Sequence, residues 1–383
     1  MNVILLTLDA VTQRRLSCYG YDKIKTKAID SLAEEGVLFE NVIAQSCLTP
    51  IAHACILSGK YPNKTKVRDP FCKVRTTLIS TMLKEKNYHT AGFVGINFLS
   101  AKHEFNQGID IYDEPTEETA WNRKKYKKGE QEKDSIWGNW WIPRMLNWIE
   151  EHQQNNFFIW GHYFNVHYHA EKQMLKDGKL KEGHLSDDGY YDAKIEYMDK
   201  ELIQPMIDTL KKCNIYDDTI IIITADHGES FLWEYPQHRR LYEDDLRIPL
   251  IIKNKHLKPQ RISHTVRSID IVPTILEMLE YSSQDDFDGL SLLPLINGKE
   301  FPELVSYSEE LYENRGPGVI QSLRNDYGKI IVNRTTGKIE MYDLQNDPDE
   351  KENLVEILDY MYDDYKMQQE ISKVKSITKN LKV

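Results

Sequence analysis

Short apolar runs alternate with amphipathic stretches along most of the chain. Residues 3–8 and 219–224 are apolar apart from threonine, as strands buried on both faces of a parallel sheet are. Shorter runs at 39–44, 157–160 and 249–253 predict further strands, and a turn and strand follow Tyr88. Between them, residues 28–38 carry Ile29, Leu32, Ala33 and Val37 at helical spacing. Residues 76–85, 190–212 and 268–279 also read as helices, the second with Ile195, Met198, Leu202, Met206 and Leu210 on one face. A helix begun by Trp137, Trp140 and Trp141 runs to His152, its tryptophans fitting a core better than a ligand platform. This alternation predicts an α/β fold with a mainly parallel central sheet. The character changes near residue 306. Segments 319–323, 329–333 and 339–344 are short strands parted by turn residues such as Thr336 and Gly337, and they predict a small antiparallel sheet. The chain is therefore divided into 1–305 and 306–383, the latter ending in a Lys-rich helical tail.

Two polar stretches interrupt the pattern at 113–133 and 171–189, and both read as exposed insertions over the body. The net charge of -11 argues against a nucleic-acid backbone or an anionic membrane as partner. No run is long and apolar enough for a membrane span, and the N-terminal residues read as a strand rather than a signal peptide. The cysteine count is odd: Cys18, Cys47, Cys55, Cys72 and Cys213, without a close pair. Free thiols in a reducing, cytoplasmic setting are the expectation. A small-molecule substrate fits this surface; self-association into a homo-oligomer stays open.

Chemistry gathers where strands and helices end. Thr49 and Pro50 open a helix that stops at Gly59, with Thr49 read as the cap and Pro50 as the first helical residue. A capped helix of no special role has the same appearance. A hydroxyl there also sits at the positive end of a helix dipole, an anion site with a nucleophile inside it. His53, four residues on, shares that face. Asp9 follows the first strand, where open α/β sheets bind ligands, although a turn aspartate would look alike. His162, His167 and His169 follow the strand at 157–160 and suit phosphate handling, proton transfer or metal ligation. Asp226 and His227 end the strongest strand, and a carboxylate beside an imidazole suits a borderline divalent metal.

With these residues placed, the chain resembles the sulfatase-like branch of the alkaline phosphatase superfamily. Seven ordered segments carry the resemblance: Leu6 to Asp9 with Tyr19 to Tyr21; Thr49 to Pro62; His162 to His167; Thr224 to Glu229; Ile269 to Thr274; Asp288 to Leu292; and Tyr342 to Pro348. The resemblance implies an alkaline-phosphatase-like α/β/α sandwich and metal-dependent ester hydrolysis. Two departures from the family pattern stand out. Sulfatases that form a formylglycine have Cys or Ser where this chain has Thr49, and Arg where it has His53. Their second acid after the first strand is here Ala10. A threonine cannot become the aldehyde, so the resemblance implies phosphate mono- or diester, or phosphonate ester, hydrolysis through a phosphorylated Thr49. Sulfate ester hydrolysis without formylglycine is the alternative, and an inactive ligand-binding homologue is a second. One divalent ion is expected on Asp9, Thr49, Asp226 and His227. Two acids, an imidazole and a hydroxyl suit Zn²⁺ or Mn²⁺ better than Ca²⁺. A second ion, less favoured, would draw on His162, His167, His238 or Asp192. His53 orients Thr49 or meets the anion, and His167 or His238 protonates the leaving oxygen.

Overall fold

The structure is a computed structural model that describes residues 1–115, 140–167, 174–175, 178, 187–230, 240–282, 285–311 and 318–356. His238, His169, the Lys-rich tail and most of both polar insertions lie outside the described residues. The core is an eight-stranded sheet of β1 (Asn2–Leu8), β2 (Val37–Ile43), β3 (His89–Val94), β4 (Ile111–Asp113), β5 (Phe157–Tyr163), β6 (Thr219–Ala225), β7 (Arg247–Lys253) and β8 (Gln260–Arg267), in the order β4-β3-β5-β1-β6-β7-β2-β8. Only β7 runs against its neighbours. The mainly parallel sheet expected from the pattern is thus present, and its centre is formed by the two most apolar runs. Every residue of β1 and β6 is buried. Burying a side chain such as Ile221 or Ile222 is worth about 1.5–3 kcal/mol, so these runs have little freedom to sit elsewhere.

Two strands of this sheet escape the pattern. β4 spans only three residues, and β8 is a mixed sequence in which Ile262 and Val266 are buried beside exposed Arg261 and Ser263. Both are edge strands, where one flank needs no apolar partner. The C-terminal sheet has four strands, β9 (Ser306–Glu310), β10 (Ile320–Arg324), β11 (Gly328–Asn333) and β12 (Ile339–Asp343), paired antiparallel in the order β12-β11-β10-β9. Polar β9 has no apolar signature; it is held by partners instead. The Ser308 hydroxyl donates to the Ala44 carbonyl at 2.6 Å, and the Glu309 N–H donates to the Gln45 carbonyl at 3.0 Å. Lys329, wholly buried, ties the sheet to Glu243 at 3.2 Å and Glu350 at 2.9 Å.

Two helices matter for the site. The first, α1 (Lys27–Glu35), has its leading N–H groups at Ala28 and Ile29 bonded to the Asp199 carboxylate at 3.0 and 2.8 Å. Asp199 lies in a one-turn π segment inside the helix spanning 187–212, just ahead of Pro205, which has no N–H to offer the ladder. The second, α2 (Thr49–Ser58), has all ten side chains buried. Leu48 occupies its cap and Thr49 is the first helical residue, so Pro50 stands second. The expected capping role of Thr49 is not realised: no side-chain cap bond forms. Its hydroxyl instead faces the strand ends. Gly59 closes α2 at φ 68°, a conformation that suits glycine, and its N–H returns to the Cys55 carbonyl at 2.9 Å. Its own carbonyl accepts from the Asp288 and Gly289 N–H groups, both at 3.0 Å. Buried Asp270 then binds Arg267 and the Leu290 N–H, each at 2.8 Å. The segments at 269–274 and 288–292 therefore clasp the end of α2.

Candidate active site

β5, β1 and β6 lie side by side, with Thr7 in register with His162 on one flank and Thr224 on the other. Their carboxyl ends therefore deliver Asp9, His162 and Asp226 to one edge of the sheet. The Asp9 N–H binds the Tyr163 carbonyl at 2.9 Å. Asp226 Oδ1 accepts from the N–H groups of Ala10 at 3.1 Å and His227 at 2.8 Å. Ala10 takes φ 56°, a left-handed conformation unusual for alanine, and Tyr191 braces it by donating to its carbonyl at 2.6 Å. Gly228 follows His227, and a Cβ there would lie 2.0 Å from the Asp244 carbonyl oxygen, so only glycine allows that approach.

The fold brings together four of the residues singled out in the sequence. Thr49 Oγ1 lies 3.3 Å from His227 Nε2 and 3.5 Å from Asp9 Oδ2, and His227 Nε2 lies 3.5 Å from Asp226 Oδ2. Asp9, Asp226 and His227 offer ligand atoms all within 4.8 Å of one another. Asp9, Asp226 and His227 have no exposed surface, and Thr49 is 8% exposed. Burial, and then the neighbouring Asp226 charge, push Asp9 well above the usual carboxylate range. Among the described residues, the ion-pair neighbours of the Asp9 and Asp226 carboxylates are histidines only. Asp9 Oδ1 and Asp226 Oδ2 have no hydrogen-bond partner there. A divalent cation fits this donor set. Donors sharing an ion at about 2.0–2.2 Å in a tetrahedral arrangement stand roughly 3.3–3.6 Å apart, as Thr49 with His227, Thr49 with Asp9 and His227 with Asp226 do. Asp226 Oδ2 would also gain the partner that a buried carboxylate requires.

His53 lies behind the cluster. Its Nδ1 is 2.7 Å from the Thr49 carbonyl and its Nε2 is 2.9 Å from the Thr7 hydroxyl. Burial lowers it to about 3, so the ring is neutral, and both nitrogens are engaged. Of its two expected roles, orienting Thr49 matches this placement; no ring nitrogen remains for an anion. His167 lies one turn past β5, its ring stacked on Phe164 at 5.1 Å, and it is 9% exposed. The Thr7 hub is a residue that motif reading passed over. Its signal was a lone polar residue in an apolar strand, two positions before Asp9 and hence on the same face.

Comparison with known proteins adds an independent view. Residues 1–281 match the family model described as Sulfatase, and residues 231–377 match that described as N-sulphoglucosamine sulphohydrolase, C-terminal. An ulvan-active sulfatase of Formosa agariphila is 24% identical over 414 residues, spanning 94% of this chain and 76% of the relative. A structure solved in complex with its substrate D-glucosamine-2-N,6-O-disulfate superposes with a TM-score of 0.76 at 19% identity, covering 100% of this chain and 98% of that one. A phosphonate monoester hydrolase of Agrobacterium radiobacter gives 0.74 at 18% identity, covering 99% and 96%. These likenesses bear out the expected fold.

Proposed function

The chain belongs to the sulfatase family and is a hydrolase of sulfuric or phosphoric ester bonds; on that premise, we propose that it cleaves phosphate mono- or diesters, or phosphonate esters, with Thr49 as nucleophile. The observation that carries this reading is an unmodified alcohol, Thr49 Oγ1, at the head of a buried helix and 3.3 Å from a ring nitrogen of His227. Asp9, Asp226, His227 and Thr49 would hold a divalent ion, Zn²⁺ or Mn²⁺ being favoured. Such an ion supplies positive charge that lowers the pKa of a nearby hydroxyl and offsets charge on the reacting ester. His227 Nδ1 is 2.8 Å from the Gly228 carbonyl, so it carries the hydrogen and Nε2 presents a lone pair toward Thr49. His53 ties the first turn of α2 to β1 and holds Thr49 against the strand ends. Thr49 Oγ1 gives its proton to solvent and attacks phosphorus, the P–O bond to the leaving group breaks, and water then cleaves the threonine ester to release phosphate, or the phosphomonoester or phosphonate left from a diester or phosphonate substrate. His167 and His238 are the proposed proton donors to the leaving oxygen.

A plain alcohol favours phosphorus over sulfur. A threonine phosphate ester is cleaved by attack at phosphorus, whereas a sulfated alcohol lacks the ready elimination open to a sulfated aldehyde hydrate. Sulfate ester hydrolysis is the second reading, favoured by the names of the relatives. The metal-loaded protein is assayed on p-nitrophenyl phosphate, bis(p-nitrophenyl) phosphate, a p-nitrophenyl phosphonate and p-nitrophenyl sulfate, with mass spectrometry of the quenched enzyme. Turnover of a phosphorus ester with phosphate trapped on Thr49 is expected; turnover of sulfate alone would replace this reading with the second. Cytoplasmic placement is likewise a proposal, supported by five free cysteines and by the lack, among the described residues, of a helix long and apolar enough to cross a membrane.

A further inference from the structure

The Thr7 hydroxyl has four neighbours: His53 Nε2 at 2.9 Å, Trp160 Nε1 at 3.2 Å, His162 Nδ1 at 3.3 Å and the Gly161 carbonyl at 3.3 Å. It has one hydrogen to give. The Trp160 N–H can only donate, so Thr7 accepts from it. The Thr49 carbonyl can only accept, so His53 Nδ1 carries a hydrogen and Nε2 of the neutral ring is bare. Thr7 therefore donates to His53 Nε2, its shortest contact. Only a lone pair remains for His162 Nδ1, which must bring the hydrogen itself. In the neutral ring, the form in which histidine ligates a metal, this leaves His162 Nε2 bare.

That bare nitrogen is 3.2 Å from Asp9 Oδ2, outside hydrogen-bond alignment, and has no other partner among the described residues. Neither residue has any exposed surface. Two lone-pair atoms held that close in a dry interior repel each other unless a proton or a cation lies between them, and the pair is not aligned for a shared proton. His227 likewise gives its Nδ1 hydrogen to a fixed acceptor, the Gly228 carbonyl, and turns Nε2 toward Thr49 and Asp226. An imidazole whose second nitrogen donates to a fixed acceptor is oriented as metal-ligating histidines are.

We propose that His162 is a further ligand of the centre, its bare Nε2 and Asp9 Oδ2 taking a borderline divalent cation between them. Thr7 is then a positioning residue, because its single hydrogen sets the tautomer of the ring. The inference rests on the reading that Asp9, Asp226 and His227 hold a divalent ion. It places His162 inside the centre as a nitrogen donor, and it makes the centre richer in imidazole and more selective for Zn²⁺-like cations over Ca²⁺.

The test loads the full chain, labelled with ¹⁵N-histidine, with ¹¹³Cd²⁺. Both His162 Nε2 and His227 Nε2 should couple to cadmium, each ring carrying its hydrogen on Nδ1. In competition with a chromophoric chelator, His162→Gln should bind Zn²⁺ at least tenfold more weakly. Thr7→Val should weaken binding in the same direction, and Thr7→Ser should restore it. Coupling at His227 alone, with a hydrogen on His162 Nε2, overturns this inference and leaves the Asp9–Asp226–His227 reading intact. Coupling at neither overturns both. If His162→Gln does not fold, the spectrum of the unaltered protein still decides.

Discussion

Asp226→Asn should make the metal-free protein no less stable while abolishing its response to metal. The structure gives the reason for both signs. Asp226 Oδ1 accepts two backbone N–H groups, and an asparagine oxygen can keep both. Oδ2, which has no hydrogen-bond partner among the described residues, becomes an amide nitrogen, and the charge that pushes Asp9 upward is removed. Metal should stabilise the unaltered protein by about 4 kcal/mol when free ion reaches roughly a thousand times its Kd. With 383 residues and an unfolding entropy of about 2.1 cal/mol/K per residue, that corresponds to roughly 5 °C in Tm for a chain melting as one unit. Scanning calorimetry with and without Zn²⁺ or Mn²⁺ measures it, after chelation and with Asp226→Asn alongside. A shift of equal size in the variant, or none in the unaltered protein with either ion, would refute the claim that these carboxylates hold the metal.

Three further outcomes are expected. Thr49→Val should lose at least a thousandfold in kcat and all phosphate trapping while keeping most of the metal-induced Tm shift, because the hydroxyl is one donor among several; steady-state assays beside calorimetry separate the two. Glu350→Gln should flatten the pH dependence of Tm between pH 5 and 7. Burial, opposed by Lys329 and reinforced by Glu243, raises Glu350 to about 7, so the folded chain binds a proton that the unfolded chain releases near 4.5, and stability falls as pH rises through that window by about 3 kcal/mol. Gly59→Ala should destabilise by about 1–3 kcal/mol in denaturant titration, since φ is 68° and the new Cβ would meet Phe287 at 3.0 Å.

The fold was largely legible before the structure because burial leaves a periodic trace. β1 and β6 are buried on both faces and so read as unbroken apolar runs, and the helix over 187–212 announced its inner face at regular spacing. β8 and β9 left no such trace, being held by edge pairing and by hydrogen bonds to Gln45 and Ala44 rather than by apolar cover. The one-residue difference between capping and leading the helix was also invisible: Thr49 looked like a cap, and only the packing of α2 shows its hydroxyl facing Asp9 and His227.

By itself, the sequence determined which chemical groups are available and that strand ends and one helix would carry them: acids at 9 and 226, an alcohol at 49, imidazoles at 53, 162 and 227. It could not determine their separations, because those depend on strand order, and β1 lies between β5 and β6 only in the folded sheet. Nor could it assign hydrogens to rings. Which nitrogen of His53, His162 or His227 is bare follows from the acceptors packed against each one, and those come from segments more than a hundred residues away for His162 and from the adjoining backbone for His227. Tautomers and donor spacing are properties of contacts, and contacts exist only once the chain has closed.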